Sequence, residues 1–182
     1  YFVENTEKNV AVIAPTGVAA LNVSGQTIHS FFKLPPELQD LEKITIDYKT
    51  KELLRHLDVL VIDEVSMVRA DLMEAMNLKL QLSKGNKLPF GGTQVVMFGD
   101  LYQLPPVVSD GELHRFFNHN YGGVYFFNAP IFKEFDYQVF ELDQIFRQKD
   151  KEFIDILNAI RTGNITDKVL EELNLRTKTE LP

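Results

Sequence analysis

The 182-residue chain contains no cysteine. That excludes disulfides, thiolate metal sites and cysteine nucleophiles, and it fits a reducing compartment. No apolar run approaches the roughly 20 residues needed to cross a bilayer, and no signal-peptide pattern is present. The expected location is intracellular: cytoplasmic in a bacterium, nuclear or mitochondrial in a eukaryote. Positive charge is scarce. Nineteen Lys and Arg against 26 Asp and Glu leave a net charge of −7, which argues against a generic basic nucleic-acid binder. Any contact with a polyanion must then use a local patch, backbone amides or stacking. Internal repeats, low-complexity tracts and flexible linkers are missing too. The chain begins with Tyr1 rather than Met, as expected of a piece of something longer.

What is present is ordinary in bulk and specific in detail. Hydrophobic residues make up 45% and charged residues 25%, enough for one domain with a proper core. Four short runs rich in β-branched or aromatic residues read as buried strands: Val10–Ala14, Val59–Ile62, Gln94–Phe98 and Tyr137–Leu142. Near-continuous apolar runs suit a parallel sheet covered on both faces. Helical patterns alternate with them. Val18–Val23 follows a glycine. Ala70–Leu82 places Leu72, Met73, Met76 and Leu80 on one stripe. Phe153–Arg161 places Ile154, Leu157 and Ile160 on another and meets Gly163 as a stop. Residues 33–56 open with a double proline, are densely charged and read as an excursion from the sheet. Residues 109–130 read as irregular.

Three of the strands end alike. "VAVIA" runs into Pro15-Thr16-Gly17, "VLVI" into Asp63-Glu64, and "QVVMF" into Gly99-Asp100 and "LYQLPP". In an open parallel sheet those carboxyl ends share one edge, where ligands bind. Two readings of Asp63-Glu64 stand side by side. The strand reaches solvent there, or the pair forms a Walker B site, in which the Asp holds Mg²⁺ and the Glu polarises the attacking water. The extension "DEVSM" is much rarer than the acid pair alone.

Four blocks carry a resemblance: "APTGVAALNVSGQTIHSFF", "VLVIDEVSMV", "GGTQVVMFGDLYQLPPV" and "FELDQIFRQKD". In order and spacing they resemble the petite-integration-frequency family of DNA helicases. These are RecD-like members of helicase superfamily 1B that move 5′ to 3′ on single-stranded DNA. The resemblance implies an α/β, RecA-like P-loop NTPase domain: a mainly parallel sheet with helices on both faces. A small insert, about residues 33–56, lies between motif Ia and Walker B, and by resemblance it carries a wedge. Two departures stand out. No G-x-x-x-x-G-K-[ST] Walker A sequence is present, and none of the ten glycines precedes a lysine. The motifs of a second motor domain are absent as well. Residues 1–182 are therefore expected to be part of the first motor domain.

The resemblance also implies roles. Asp63 holds Mg²⁺ beside ATP, Glu64 activates water, Gln103 senses the γ-phosphate and Arg147 reaches it. A permanently charged, planar guanidinium suits that last task. Beside these stand plainer readings: a turn stiffened by Pro105-Pro106 for Gln103, and an ion pair with Asp143 or Asp150 for Arg147. Nucleic acid is expected along Pro15, Thr16, Gly17, Thr27, His29, Ser30 and Phe31. A turn entering a helix leaves amides free for a phosphate, and an exposed Phe31 or Phe32 stacks on a base. Core packing and a structural His29 are the alternatives. The expected partners are single-stranded DNA and its junctions with duplex, with no membrane. The functional reading is an ATP-dependent helicase fragment, inactive alone. A non-hydrolysing RecA-like binding module and an RNA motor are the other readings.

Overall fold

A computed structural model gives the structure of the chain and describes residues 7–146 and 148–175. It divides into two compact units, Tyr1–Tyr137 and Gln138–Pro182.

The first unit is built on β1 (Val10–Ala14), α1 (Gly17–Asn22), β2 (Gln26–Thr27), α2 (Ile28–Phe32), α3 (Tyr48–Arg55), β3 (Val59–Ile62), α4 (Ala70–Lys84), β4 (Gln94–Met97) and α5 (Gly111–Tyr121). Short 3-10 turns lie between them. The four strands of the described sheet pair in parallel, in the order β2-β1-β3-β4. The β-branched runs become strands as expected, and β4 stops one residue early. Val59, Leu60 and Ile62 of central β3 are fully buried, which explains the unbroken apolar run.

Helix α4 departs from a simple stripe. Leu72, Met73, Met76 and Leu80 are buried as expected, but so are Asp71, Glu74, Asn77, Lys79 and Ser83. Each buried polar group has a partner. Glu74 Oε1 accepts from Asn77 Nδ2 at 2.8 Å, and Oε2 accepts from the Ile131 amide at 3.0 Å. Asn77 Oδ1 accepts from the Phe90 amide, and Ser83 Oγ donates to Lys79 O. Gly85, at φ 67°, ends the helix in the left-handed region.

Residues 33–56 leave the sheet, as expected, and hold the helix α3, but they are packed down rather than detached. Leu34 and Leu54 are buried, and Leu38, Leu41, Ile44 and Ile46 pack against the core. Charged side chains of α4 and its approach pin the segment. Arg69 and Asp71 form a bidentate pair with both bonds at 2.9 Å. Asp71 also accepts from the Gln39 amide, and Arg69 donates to Glu37 O. Lys79 Nζ donates to Phe32 O and Lys33 O. Burial holds the Lys79 ammonium below the usual lysine range, with Asp47 opposing the shift. Lys84 Nζ donates to Leu57 O. The proline pair and the charge density marked the departure from the sheet, and the apolar residues between the charges anchor the segment to the core.

Residues 109–130 are likewise not irregular throughout. Asp110 caps α5 by accepting from the Leu113 amide at 2.8 Å, and Gly122 closes it at φ 74°. Phe117 on this helix is fully buried.

The second unit contains α6 (Lys151–Arg161) and α7 (Asp167–Leu175). Its α6 buries Ile156, while the expected stripe residues Leu157 and Ile160 are exposed. Tyr137–Leu142, expected as a fourth buried strand, is not one. Val139, Phe140 and Leu142 are each at least 80% exposed. A strand exists only by pairing, and no described strand pairs with this segment.

Candidate functional site

The register brings the three turns together. Ile13 lies opposite Ile62, and Ile62 lies opposite Met97. The chain therefore leaves β1, β3 and β4 at one edge, at Pro15-Thr16, Asp63-Glu64 and Gly99-Asp100. Backbone bonds continue the ladder past that row. The Asp63 amide donates to Ile13 O at 2.9 Å, the Phe98 amide to Ile62 O at 2.8 Å, and the Val65 amide to Phe98 O at 2.8 Å.

Asp63 and Glu64 sit just beyond the last buried residue of β3 and are partly exposed. A charge pair there escapes the penalty of the interior. Among the described residues, no hydrogen bond or ion pair engages either carboxylate. Glu64 adopts φ 51°, ψ 41°, the left-handed region, uncommon for a residue with a side chain. No cage of three His, Asp or Glu side chains forms among the described residues. Two free carboxylates at a strand end nevertheless fit Mg²⁺. That ion takes hard oxygen donors, and one or two carboxylates suffice when phosphate oxygens and waters complete the shell.

Gly99 lets the third turn lie directly on the second. A Cβ there would stand 2.9 Å from Val65 Cγ1 and 3.0 Å from Ser66 N. Asp100 organises the residues after it. Its Oδ1 accepts from the Tyr102 amide at 3.0 Å, and its Oδ2 accepts from Gln103 Nε2 at 2.9 Å. Gln103 is exposed, so its second N–H and its carbonyl oxygen remain for a ligand.

The expected nucleic-acid residues line two shallow cavities beside the first turn. One, about 320 Å³, includes Gly17, Thr27 and Ser30. The other, about 150 Å³, includes Pro15, Thr16 and His29 together with Met67, Arg69, Leu72 and Val107. Thr16 Oγ1 caps α1 by accepting from the Ala19 amide, and Thr27 Oγ1 caps α2 by accepting from the Ser30 amide. His29 Nδ1 lies 3.3 Å from Leu34 O. A carbonyl only accepts, so Nδ1–H makes this bond, and Nε2 remains for another partner. Phe31 is the exception: it is 7% exposed and packs edge-on against fully buried Phe32 at 5.2 Å. Neither ring offers a face to a base; the apolar phase of α2 turns both inward.

Arg147 lies outside the described residues. Its neighbour Gln148 accepts through Oε1 from the Lys149 and Asp150 amides. Met67 was noted from sequence only as part of "DEVSM", and Arg69 was missed. The signal was there: an arginine two residues before an acid, at the start of a helix that follows the carboxylate strand.

Comparison with known proteins fits this geometry. Residues 1–171 match the model of PIF1-like helicases. The chain is 38% identical over 168 residues to the ATP-dependent DNA helicase PIF1 of Emericella nidulans, covering 89% of this chain and 21% of that protein. It is 42% identical over 166 residues to the Candida albicans protein of the same name, covering 88% and 18%. It therefore spans about a fifth of the curated relatives it matches. Among solved structures, Pif1 helicase from Bacteroides in complex with ADP-AlF3 and single-stranded DNA superposes with a TM-score of 0.91 at 39% identity. The match covers 98% of this chain and 42% of that one. The chain belongs to the PIF1-like helicase family.

Proposed function

We propose that this chain is part of the first RecA-like motor domain of an ATP-dependent DNA helicase. Its place there is to couple Mg²⁺–ATP hydrolysis to 5′-to-3′ movement on single-stranded DNA and to the opening of duplex at a junction. The carrying observation is the shared sheet edge, where β1, β3 and β4 present Thr16, Asp63-Glu64 and Asp100-Gln103 in one row. The names of the matched relatives and the single-stranded DNA in a solved relative support the same reading.

In this reading Asp63 holds Mg²⁺ directly or through water. When bound, the ion neutralises the charge on the β- and γ-phosphate oxygens. Glu64, free of internal partners, takes a proton from the attacking water. Asp100 fixes one N–H of Gln103 and leaves the other to report on the γ-phosphate. Arg147 supplies positive charge to the same group. Thr16, Gly17, Thr27 and Ser30 hold the sugar-phosphate chain along α1 and α2. His29, with Nδ1 engaged by Leu34 O, contacts a phosphate or a sugar of that chain through Nε2.

The test is Glu64→Gln in a complete helicase chain. The amide keeps the shape and loses the base. Turnover falls at least about tenfold, roughly 1.4 kcal/mol of barrier, while Mg²⁺–ATP still binds. A smaller fall places the base elsewhere.

A further inference from the structure

Ser66 is 1% exposed, and its hydroxyl has no hydrogen-bond partner among the described residues. Every other buried polar side chain of the neighbouring helix is satisfied, so this orphan calls for a reason. It sits in the 3-10 turn Val65–Met67, between the groups assigned above to nucleotide and to nucleic acid. On one side of the turn is Glu64, held in the left-handed region at φ 51°. On the other is Met67, which lines the cavity shared with Pro15, Thr16 and His29. Gly99 presses on its middle, so close that a Cβ would meet Ser66 N at 3.0 Å.

The two anomalies share one explanation. A serine in a helical turn commonly bonds the carbonyl three or four residues back, here that of Asp63 or Ile62. With Glu64 left-handed, the chain between Asp63 and Ser66 does not run helically, and that bond is not made. Ile62 O accepts from the Phe98 amide within the sheet ladder and stays with the strand, so Asp63 O, in the turn itself, is the carbonyl that a change at Glu64 can bring to the hydroxyl. Were Glu64 to enter the right-handed region, the turn would extend back by one residue. The hydroxyl would gain its acceptor, the backbone strain would be relieved, and the Glu64 carboxylate would be re-aimed.

We infer that Ser66 is a positioning residue for Glu64: its hydroxyl bonds Asp63 O only when Glu64 leaves the left-handed conformation, and that bond holds the carboxylate in its hydrolytic position. The inference rests on the ATP-hydrolysis reading. Because Met67 moves with the turn, the same change reaches the wall of the nucleic-acid cavity.

The experiment uses a complete helicase chain with its phosphate loop, carrying Ser66→Ala, Ser66→Cys or, as control, Asp63→Asn. Without nucleotide, Ser66→Ala melts at or above the parental temperature, because it deletes an unpaired buried group. Its kcat falls at least about tenfold, with KM changed less than about threefold. A non-hydrolysable ATP analogue raises its melting temperature less than it raises the parent's. Ser66→Cys, similar in size with a weak S–H donor, recovers part of the lost kcat. A kcat of Ser66→Ala within about twofold of parent overturns the inference. So does a lower melting point without nucleotide, which means that the hydroxyl is already bonded in the resting fold. Parental turnover by Asp63→Asn defeats the hydrolysis reading itself; an inactive Asp63→Asn beside a fully active Ser66→Ala defeats only the role of Ser66.

Discussion

At Gly99 one methyl group separates a meshed pair of turns from a broken one. Its added Cβ would meet Val65 Cγ1 at 2.9 Å, Ser66 N at 3.0 Å and Val65 N at 3.2 Å. Two of those are backbone atoms of the turn after Glu64, which give way only if the turn moves as a whole. Gly99→Ala is expected to cost about 1–3 kcal/mol and to lower the melting temperature. Gly17→Ala, with nothing within 4 Å of the new carbon, leaves stability within about 0.5 kcal/mol. Tyr121 makes a different residue-scale prediction. Burial first, then the nearby Asp71 and Glu74 charges, push its phenol from the ordinary 10.0 up to about 12. A raised folded pKa means that stability is intact below pH 10 and drains away as pH climbs through about 12. Tyr121→Phe removes that part of the alkaline slope, measurable by thermal melts between pH 9 and about 12.

Among the elements, β1, β3 and α4 were legible because periodicity and turn chemistry agreed along them. The segment 33–56 was not, because two signals conflicted. Pro35-Pro36 and the charges pointed away from packed structure, while Leu34, Leu38, Leu41 and Ile44 keep a helix-like spacing over a stretch where only the 3-10 turn Leu41–Lys43 forms. Only the partners, Arg69-Asp71 and Lys79 more than thirty residues away, resolve it. The consequence reverses a sequence-based expectation. A wedge carried on an independent loop would tolerate shortening between Gln39 and Lys51 while ATP hydrolysis survived. Here Gln39 and Thr50 are buried, and Asp47 caps α3 through the Thr50 amide and hydroxyl. The shortened chain is expected to lose its cooperative melting transition. Arg69→Ala acts at the same joint by stranding fully buried Asp71, at about 3–5 kcal/mol. A wedge role is better tested at Tyr48, 77% exposed on α3. Tyr48→Ala leaves folding and single-strand-stimulated ATPase near parental levels and slows duplex separation. Unchanged unwinding by that variant removes α3 from the strand-splitting point.

At the scale of the whole molecule the prediction concerns turnover by the 182 residues alone. The edge of the sheet brings together the carboxylates and the Asp100-Gln103 turn, to which the proposed function gives the polarising of water and the sensing of the terminal phosphate. None of these cradles the β-phosphate. That task takes a glycine-rich turn whose amides converge on it and a lysine just after the turn, and no glycine of this chain precedes a lysine. A net charge of −7 works against a polyphosphate anion as well. The segment 138–142 adds a second expectation. It has the composition of a strand but no pairing, and it presents Val139, Phe140 and Leu142 to solvent. It was expected as a buried strand and is not one, because pairing is decided by a neighbour and not by local sequence. An unpaired apolar segment binds hydrophobic dyes and promotes association. The purified 182-residue chain is therefore expected to show negligible DNA-stimulated ATPase, weak nucleotide affinity and bright dye binding, with the dye signal reduced by Val139→Lys or Phe140→Lys. A longer chain from the same protein that carries a G-x-x-x-x-G-K-[ST] loop is expected to hydrolyse ATP. Coupled ATPase assays and dye fluorescence on the two purified chains make the comparison. Robust DNA-stimulated turnover by the 182 residues would mean that the phosphate is held by groups other than a glycine-rich loop, and the roles of Asp63 and Gln103 would have to be redrawn around them.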